Sequence, residues 1–274
     1  MKSVTIVGAG AVGRSIALAL FYNRVKIDGI YSESGKSARS LAKKVHCNNF
    51  GTLTVNSLLS KIIIIAVPDD RIRITAVLLG KNPRLLKSKT VFHTSGALTS
   101  DELAAVRKRG AVVASFHPLQ TFSRSKNETP LKNIWCAVEG DKKAIATARV
   151  LGNKLRMNIF TIAKKDKPLY HAAAVFASNY LITLLSVVEE LSDHIRIPKK
   201  NIWKIYSPLI LQTIHNAIHS SPAAALTGPI VRGDTETIKK HIKALSIPSL
   251  NHLAMLYSVL GIETTRLVKG KNAR

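Results

Sequence analysis

The feature that most constrains this chain is a glycine-rich segment near its start. A β-branched run at residues 4–7 leads directly into Gly8, Gly10 and Gly13, spaced G-x-G-x-x-G, and an apolar helical pattern follows. In this spacing the first glycine permits a tight turn, the second lets the backbone approach a diphosphate, and the third lets the helix pack closely on the strand. A glycine turn without a ligand is the alternative, but the flanking strand and helix patterns favour a dinucleotide site.

We therefore predict a dinucleotide site at the carboxyl ends of the strands. The helix that starts after Gly10 directs its unpaired N–H groups and the positive end of its dipole at the diphosphate. Further contacts are expected where later strands end, because ligands of open α/β sheets bind there. The predicted cofactor-binding residues are Gly8, Gly10, Ala11, Val12, Gly13, Ser32, Ser34, Arg39, Val67, Pro68 and Ser95.

The choice between NADP and NAD depends on the end of the second strand, near Ser32. An NAD site usually has Asp or Glu there to hold the ribose 2′-hydroxyl, whereas Glu33 lies one residue late. Hydroxyls of Ser32 and Ser34 with Lys36 or Arg39 would suit a 2′-phosphate, because donors and cations stabilise a dianion. The sequence favours NADP over NAD. It leaves open whether Glu33 faces the ribose and whether the two cations only form a solvated helix face.

Strands and helices alternate through the first part of the chain. The patterns predict strands at 25–31, 61–67, 90–93, 111–116 and 134–138, and helices at 36–45, 71–79 and 99–109. The strand at 61–67 is uniformly apolar, as is typical of a parallel sheet covered on both faces. This alternation is typical of a doubly wound sheet.

The pattern becomes helical near residue 164. A long apolar helical stretch covers residues 170–191, and further helical segments broken by prolines follow. A helix this apolar belongs in the middle of a helical domain or in a subunit interface. We predict an α/β protein with an N-terminal doubly wound Rossmann sheet followed by an all-α C-terminal domain. The expected domains are residues 1–163 for dinucleotide binding and 164–274 for substrate binding and dimerisation.

Composition narrows the class of protein. Cys47 and Cys136 lack metal-ligand spacing, so we expect reduced thiols and no metal site. We also expect a cytoplasmic protein without a signal peptide or membrane span, because no run of about 18 residues is wholly apolar.

The chain is strongly basic, with 41 Lys and Arg against 16 Asp and Glu. These cations are scattered without a recognisable motif, so we predict a solvated basic surface and no specific nucleic-acid partner. Nucleic-acid binding, the alternative, requires association that survives physiological salt.

Two segments carry candidate groups for proton transfer. His117 follows the strand at 111–116 and is a candidate acid or base, or it only stabilises the turn at the next proline. In the apolar helix, about 100° per residue places His171 and Ser178 on one face, with Asn179 about 80° away. These polar groups either converge on a cavity or bond within a helix core.

A third segment interrupts the helical region at Gly228 and Pro229. Arg232 is a candidate for bidentate binding of a substrate carboxylate, or it only holds the turn. Asp234 is predicted to cap the helix that follows.

The motifs together resemble a known family. They are Gly8 to Gly13, Val67-Pro68-Asp69, His93 to Gly96, Phe116 to Gln120, Tyr170 to Asn179, and Thr227 to Asp234. In these the chain resembles bacterial Rossmann-like NADP oxidoreductases with a C-terminal domain of unknown function. More distantly it is similar to pyrroline-5-carboxylate reductase, ketopantoate reductase and the β-hydroxyacid dehydrogenases. That resemblance implies a helical second domain, frequently dimeric, with substrate in the cleft between domains.

One departure from these relatives shapes the functional prediction. Ketopantoate reductases and β-hydroxyacid dehydrogenases have a catalytic lysine four residues before an asparagine, and Val175 stands at that position before Asn179. We therefore predict His171 as the proton donor, with Asn179, Arg232 and His117 as the other catalytic residues. The predicted function is NADP-dependent hydride transfer between nicotinamide and a small carbonyl, imine or hydroxy compound, in a homodimer. The alternative is a non-catalytic dinucleotide-binding or sensing protein that acts through its helical domain.

Overall fold

The computed structural model describes residues 3–57, 59–82, 86–122 and 129–272. The chain divides into two compact units, Met1–Asn179 and Tyr180–Arg274. The predicted domain boundary after residue 163 stays a prediction.

The first unit is built on an eight-stranded sheet in the order β3-β2-β1-β4-β5-β6-β7-β8. Its strands are β1 (Val4–Val7), β2 (Ile27–Ser32), β3 (Phe50–Thr52), β4 (Ile62–Ile65), β5 (Thr90–His93), β6 (Val112–Pro118), β7 (Trp135–Gly140) and β8 (Asn158–Thr161). All neighbouring strands are parallel except β6 and β7. Because β1 pairs with both β2 and β4, the strand order reverses at β1, where ligands of such sheets bind.

Helices and buried clusters cover both faces of this sheet. The helices are α1 (Ala11–Tyr22), α2 (Lys36–Lys44), α3 (Asp69–Gly80), α4 (Ala104–Arg107), α5 (Lys142–Leu155) and α6 (Lys167–Val175). Side chains alternate along a strand, so Ile62 and Ile64 of β4 belong to one buried cluster and Ile63 and Ile65 to the other. The predicted fold class is confirmed.

Some elements differ from the sequence prediction. Strands β3 and β8 and helix α5 were not predicted, because β3 is short and β8 and α5 have no strong apolar pattern. The helix predicted at 99–109 is wrong at its start, where Ser100–Leu103 form a 3₁₀ turn ahead of the four-residue α4. The buried carboxylate of Glu139 explains this turn, since it accepts hydrogen bonds from the Ser100 N–H and hydroxyl at 2.8 and 2.7 Å.

The second unit is helical over its described residues. Its helices are α7 (Leu181–His194), α8 (Lys199–His219), α9 (Pro222–Ala225), α10 (Pro229–Arg232), α11 (Thr235–Leu245) and α12 (Asn251–Asn272). A small core holds α11 and α12 together through Leu245, Leu250 and Leu253. The predicted cap is confirmed, since Asp234 Oδ1 accepts a hydrogen bond of 3.0 Å from the Thr237 N–H at the start of α11.

The long apolar helix contains an irregular turn. Helix α6 ends at Val175, a π turn covers Phe176–Tyr180, and α7 begins at Leu181. The helical stretch Lys164–His194 is long and apolar enough to cross a membrane by length and composition, with a mean hydropathy of 1.6 in its most apolar 18-residue window. One such helix is weak evidence for a membrane span. No residue of that window is fully buried, and Phe176 and Ile182 of the stretch are 67% and 66% exposed.

Candidate functional site

The glycine turn has two crowded positions and one open position. Gly8 has φ of 105°, and a Cβ added there would lie 2.1 Å from the Ala66 carbonyl oxygen. A Cβ on Gly13 would lie 1.9 Å from the Gly8 carbonyl oxygen, whereas one on Gly10 would meet no atom within 4 Å. Gly8 and Gly13 are therefore needed for packing, and Gly10 leaves space in front of the start of α1. This matches what a bound diphosphate requires.

The predicted contacts Ala11 and Val12 are the first residues of α1, and that first turn carries no acidic side chain. A helix start without carboxylates keeps its positive end available to an anion. Val67 and Pro68 follow β4, the strand next to β1, with Val67 half-buried and Pro68 exposed. These four residues lie at the carboxyl ends of β1 and β4, as predicted from the sequence.

The end of β2 has a different arrangement from the expected one. The Ser32 hydroxyl is buried and accepts a hydrogen bond of 3.2 Å from the Ala38 N–H. Ser34 and Arg39 are exposed, and the Arg39 guanidinium lies 5.9 Å from the centre of the Phe50 ring.

Sequence reasoning missed a cation at this end of the sheet. Arg71, in the first turn of α3, forms an ion pair of 3.3 Å with Glu33. Both side chains are largely exposed, so a ligand can compete for either of them. The strand order shows why the pair was missed, since α3 follows β4 and Glu33 follows β2.

The end of β5 is tied down by hydrogen bonds. The Ser95 hydroxyl donates to Asp69 Oδ2 at 2.8 Å and accepts from the Leu98 N–H at 3.0 Å. The buried His93 ring accepts from the Ser95 N–H at Nδ1 (3.2 Å) and donates from Nε2 to the Thr99 carbonyl (3.0 Å). The Ser95 hydroxyl, a predicted cofactor contact, is thus already bonded to protein groups.

One face of α6 meets the ends of β5 and β6. Lys167, Tyr170 and His171 are spaced i, i+3 and i+4 and so share this face. The Lys167 ammonium is fully buried and donates to the Ser95 carbonyl at 3.2 Å and to the Ser115 hydroxyl at 2.6 Å.

The next turn of α6 brings three rings together around Gly96. The Tyr170 hydroxyl and His117 Nδ1 form a hydrogen bond of 2.8 Å. The rings of His117 and His171 are 6.1 Å apart and nearly perpendicular. A Cβ on Gly96 would lie 2.6 Å from His171 Nδ1 and 2.8 Å from His117 Nε2, so both imidazoles pack directly on this glycine.

The surroundings of the side chains near Gly96 shift their pKa values. Burial, and then the charge of Lys167, lowers the pKa of both His93 and His117 to about 4. Burial raises the pKa of Tyr170 to about 12 and lowers that of Lys167 to about 8. At neutral pH both shifted imidazoles and the phenol are therefore uncharged, and the ammonium is the charged group among these four.

The other two predicted catalytic residues, Asn179 and Arg232, belong to the π turn and to α10. The Ser178 hydroxyl donates to the Ala174 carbonyl at 2.7 Å and to Asn179 Oδ1 at 3.0 Å. The π turn also rotates Asn179 away from the angle expected of a regular helix, because a π turn has more residues per turn. Arg232 lies exposed at the end of α10, in the second unit.

Sequence reasoning brought His117 and His171 into the site but missed Lys167 and Tyr170. Lys167 follows Lys164 and Lys165, both exposed, and the run looked like surface charge. The available signal was its spacing, three and four residues before Tyr170 and His171 on a helix.

The sequence matches two family descriptions in succession. Residues 1–118 match a Rossmann-like domain, and residues 134–264 match the domain of unknown function DUF2520. The chain is a Rossmann-like domain joined to a DUF2520 domain. The resemblance stated from the motifs is thereby confirmed. No curated protein sequence matches the chain.

Several solved structures have a similar fold over nearly the whole chain. A provisionally assigned NADP oxidoreductase from Bacteroides fragilis is 24% identical, with a TM-score of 0.77 and coverage of 97% of this chain and 98% of that one. A Thermotoga maritima protein is 24% identical, with a TM-score of 0.74 and coverage of 98% and 99%. An imine reductase from Myxococcus stipitatus in complex with NADP⁺ is 15% identical, with a TM-score of 0.65 and coverage of 98% and 93%. At these identities the likeness establishes the fold.

Proposed function

We propose that the protein is an oxidoreductase that uses a nicotinamide dinucleotide, with NADP preferred over NAD, and acts on a small carbonyl, imine or hydroxy compound. The proposal that a dinucleotide binds is supported by the difference between Gly10 and the other two glycines of the turn. A Cβ is excluded at Gly8 and Gly13 by the protein itself, but the space at Gly10 is open. A glycine kept where the protein does not need one is explained by a ligand that approaches the backbone.

Residues of the first unit would hold the cofactor. The N–H groups of Ala11, Val12 and Gly13 would bind the diphosphate, and Val67 with Pro68 would line its path. Ser34, Arg39 and Arg71 would hold the 2′-phosphate, since cations and hydroxyls stabilise that dianion. The bound nicotinamide would supply or accept the hydride. The imine reductase among the similar structures supports an imine or carbonyl as the other reactant.

His171 is the residue proposed to move the proton. Its Nδ1 is buried against Gly96 and has no hydrogen-bond partner among the described residues. Its other ring nitrogen, Nε2, is the one proposed to meet a substrate and exchange the proton. His117 packs beside this ring and is itself hydrogen-bonded to the Tyr170 hydroxyl. Asn179 and Arg232 are proposed to orient the substrate, Arg232 through a carboxylate if the substrate has one.

We further propose a homodimer formed through the exposed apolar helices. Large apolar side chains are exposed on α7 and α8, with Ile182 at 66%, Leu211 at 66% and Ile218 at 74%. Monomeric soluble proteins rarely expose contiguous apolar patches of this kind. A second copy would cover them and would also account for the unburied window in residues 164–194.

The cofactor proposal is tested by the variant Gly10→Ala. The added methyl meets no protein atom, so the thermal unfolding curve should match that of the wild type. Affinity for NADPH, measured by its fluorescence on titration, should fall tenfold or more, roughly 1.4 kcal/mol. The control is Gly270→Ala, at another open position, which should leave affinity unchanged. Wild-type affinity in Gly10→Ala, or no NADPH binding by the wild type, would sink the cofactor proposal.

The proton-transfer proposal is tested with His171→Gln. Wild-type protein and variant are incubated with NADPH and a panel of imines, ketoacids and aldehydes, and cofactor oxidation is followed by absorbance. We expect turnover to fall by roughly 10² or more in the variant, with NADPH affinity unchanged. His194→Gln, at an exposed histidine of α7, is the control. Binding without turnover across a broad panel would favour the sensing alternative.

The dimer proposal is tested by sedimentation of the wild type and of Leu211→Glu. We expect a dimer for the wild type and a monomer for the variant, because a carboxylate in an apolar interface is strongly disfavoured. Val150→Glu is the control, at an apolar side chain of α5 that is 53% exposed. A monomeric wild type contradicts the proposal, and sedimentation with vesicles would point instead to a membrane surface.

A further inference from the structure

The buried lysine of α6 is not explained by packing. Lys167 is 0% exposed, and its ammonium donates to two neutral groups, the Ser95 carbonyl and the Ser115 hydroxyl. No carboxylate of the described residues forms an ion pair with it. Burying a charge without a paired opposite charge is costly, and an apolar side chain of similar length would fill the space more cheaply. The carboxylates of Asp69 and Glu139 favour the charged form of Lys167 from a distance and offset this cost only in part.

Its first effect is geometric. Lys167 is the first residue of α6 and Pro168 the second, so the ammonium ties the start of the helix to the end of β5 and to the middle of β6. Tyr170 and His171 follow one turn later on the same face. Their rings then meet His117 and Gly96 at the ends of the same two strands.

Its second effect is electrostatic. The ammonium places a positive charge beneath His93 and His117, which favours the uncharged form of each ring. A neutral His117 keeps a hydrogen bond with the Tyr170 hydroxyl without adding a charge beside His171. The charged and titratable groups around Lys167 are Asp69, His93, His117, Cys136 and Glu139, with Tyr170 and His171 on its own helix.

We propose that Lys167 is a positioning residue. Its buried ammonium fixes the start of α6 on the sheet, places Tyr170 and His171 beside His117, and holds its positive charge near the His117 ring. It does not touch substrate, because its nitrogen is buried and bonded to protein groups. The proposal rests on the proposed function only where it concerns turnover. The coupling between Lys167, Tyr170 and His117 is a property of the protein without any ligand.

The test compares Lys167→Met with Lys167→Arg and with the control Lys165→Met, which removes an exposed lysine two residues away. NMR titration of the histidine ring protons is the readout. In Lys167→Met the pKa of His117 should rise from about 4 to roughly 5 or more. In the control it should stay at about 4, and Lys167→Arg should retain the low value because the charge remains. An unchanged His117 titration in Lys167→Met overturns the proposal.

A second measurement needs no variant and covers the case in which Lys167→Met fails to fold. In the wild type, the ring signals of His117 and Tyr170 should shift together in one step as Lys167 loses its proton, at a pH well below 10.5. Absence of that step also overturns the proposal.

Turnover and binding then separate this proposal from the proposed function. Lys167→Met should retain NADPH affinity within about twofold, because the glycine turn is untouched, and lose turnover by roughly tenfold or more. If the wild type binds no NADPH, the cofactor proposal fails, but the effect of Lys167 on His117 is still tested by the NMR titration.

Discussion

The glycine turn lies at the end of β1, and Lys167, Tyr170, His171 and His117, called the α6 cluster below, lie two and three strands away at β5 and β6 of the same sheet. The two are built in opposite ways. In the turn, the deciding contacts join Gly8 and Gly13 to each other and to the adjacent strand, and they involve only backbone and small side chains. In the α6 cluster, Lys167 reaches Ser95 and Ser115, 72 and 52 residues away in the sequence, through a long side chain. The turn requires residues without a side chain, and the α6 cluster requires a buried charge.

The difference teaches which kind of substitution each site tolerates. A site built from close backbone contacts has no room for an added methyl, whatever its chemistry. A site built on a buried charge accepts changes of volume more easily than loss or gain of a proton. Steric substitutions should therefore damage the turn most, and pH should act most on the α6 cluster.

The largest effect is expected for Gly8→Ala. The new Cβ would lie 2.1 Å from the Ala66 carbonyl oxygen, and φ of 105° disfavours any side chain. The free energy of unfolding should fall by about 4 kcal/mol or more, from backbone strain and overpacking together. Urea unfolding followed by circular dichroism measures it. A loss no larger than that of Gly10→Ala would show that the turn is not sterically fixed.

This steric logic is why the turn was predictable from the sequence and the α6 cluster was not. The order of glycines reports local backbone geometry, so Gly8, Gly10 and Gly13 identify the turn without any knowledge of the rest of the fold. Burial of Lys167 is decided by strands far away in the sequence, and nothing near it distinguishes it from Lys164 and Lys165. The same limit hid β8, whose pairing with β7 is what makes it a strand.

The second-largest effect is expected in the pH dependence of the free energy of unfolding, which should depend on Lys167 of the α6 cluster. The pKa of Lys167 is lowered from 10.5 to about 8 in the folded protein. Between these values the unfolded chain binds more protons, so stability rises with pH across this window, and the cost of the buried charge is fully present below it. Relative to Lys167→Met, the wild type should gain on the order of 3 kcal/mol from pH 8 to 10.5.

The measurement is the difference between the urea unfolding curves of the two proteins at each pH. A difference is needed because Cys136 and Tyr170, whose pKa values are raised, act in the opposite direction in both proteins. Lys165→Met serves as the control and should follow the wild type. If the free energies of unfolding of the wild type and of Lys167→Met changed with pH in the same way, folding would not lower the pKa of Lys167.

Gly96→Ala brings a steric change into the charged site and should have an intermediate effect. Its methyl would lie 2.6 Å from His171 Nδ1 and 2.8 Å from the His117 ring, so both rings must move. These are side-chain atoms, which yield more easily than the carbonyl that faces Gly8, and a loss of about 2 kcal/mol is expected. Unfolding measurements give this loss, and NMR should show displaced His117 and His171 signals. Unmoved signals would contradict the proximity of the rings.

The smallest effect is expected at the exposed ion pair of Arg71 and Glu33. Their side chains are 51% and 86% exposed, so breaking the pair with Glu33→Gln should change stability by no more than about 0.5 kcal/mol. Removing the carboxylate should nevertheless strengthen NADPH binding by about threefold, because a repulsive charge is lost and Arg71 keeps only its longer pair of 3.8 Å with Asp70. Arg71→Gln should weaken NADPH binding by a similar factor and leave NADH binding unchanged.

The control for general charge effects is Arg73→Gln. Arg73 also lies on α3, but it pairs with Glu102 of the 3₁₀ turn. The ratio of NADPH to NADH affinity decides the matter: if it is the same in all three variants and the wild type, the end of β2 does not select the nucleotide.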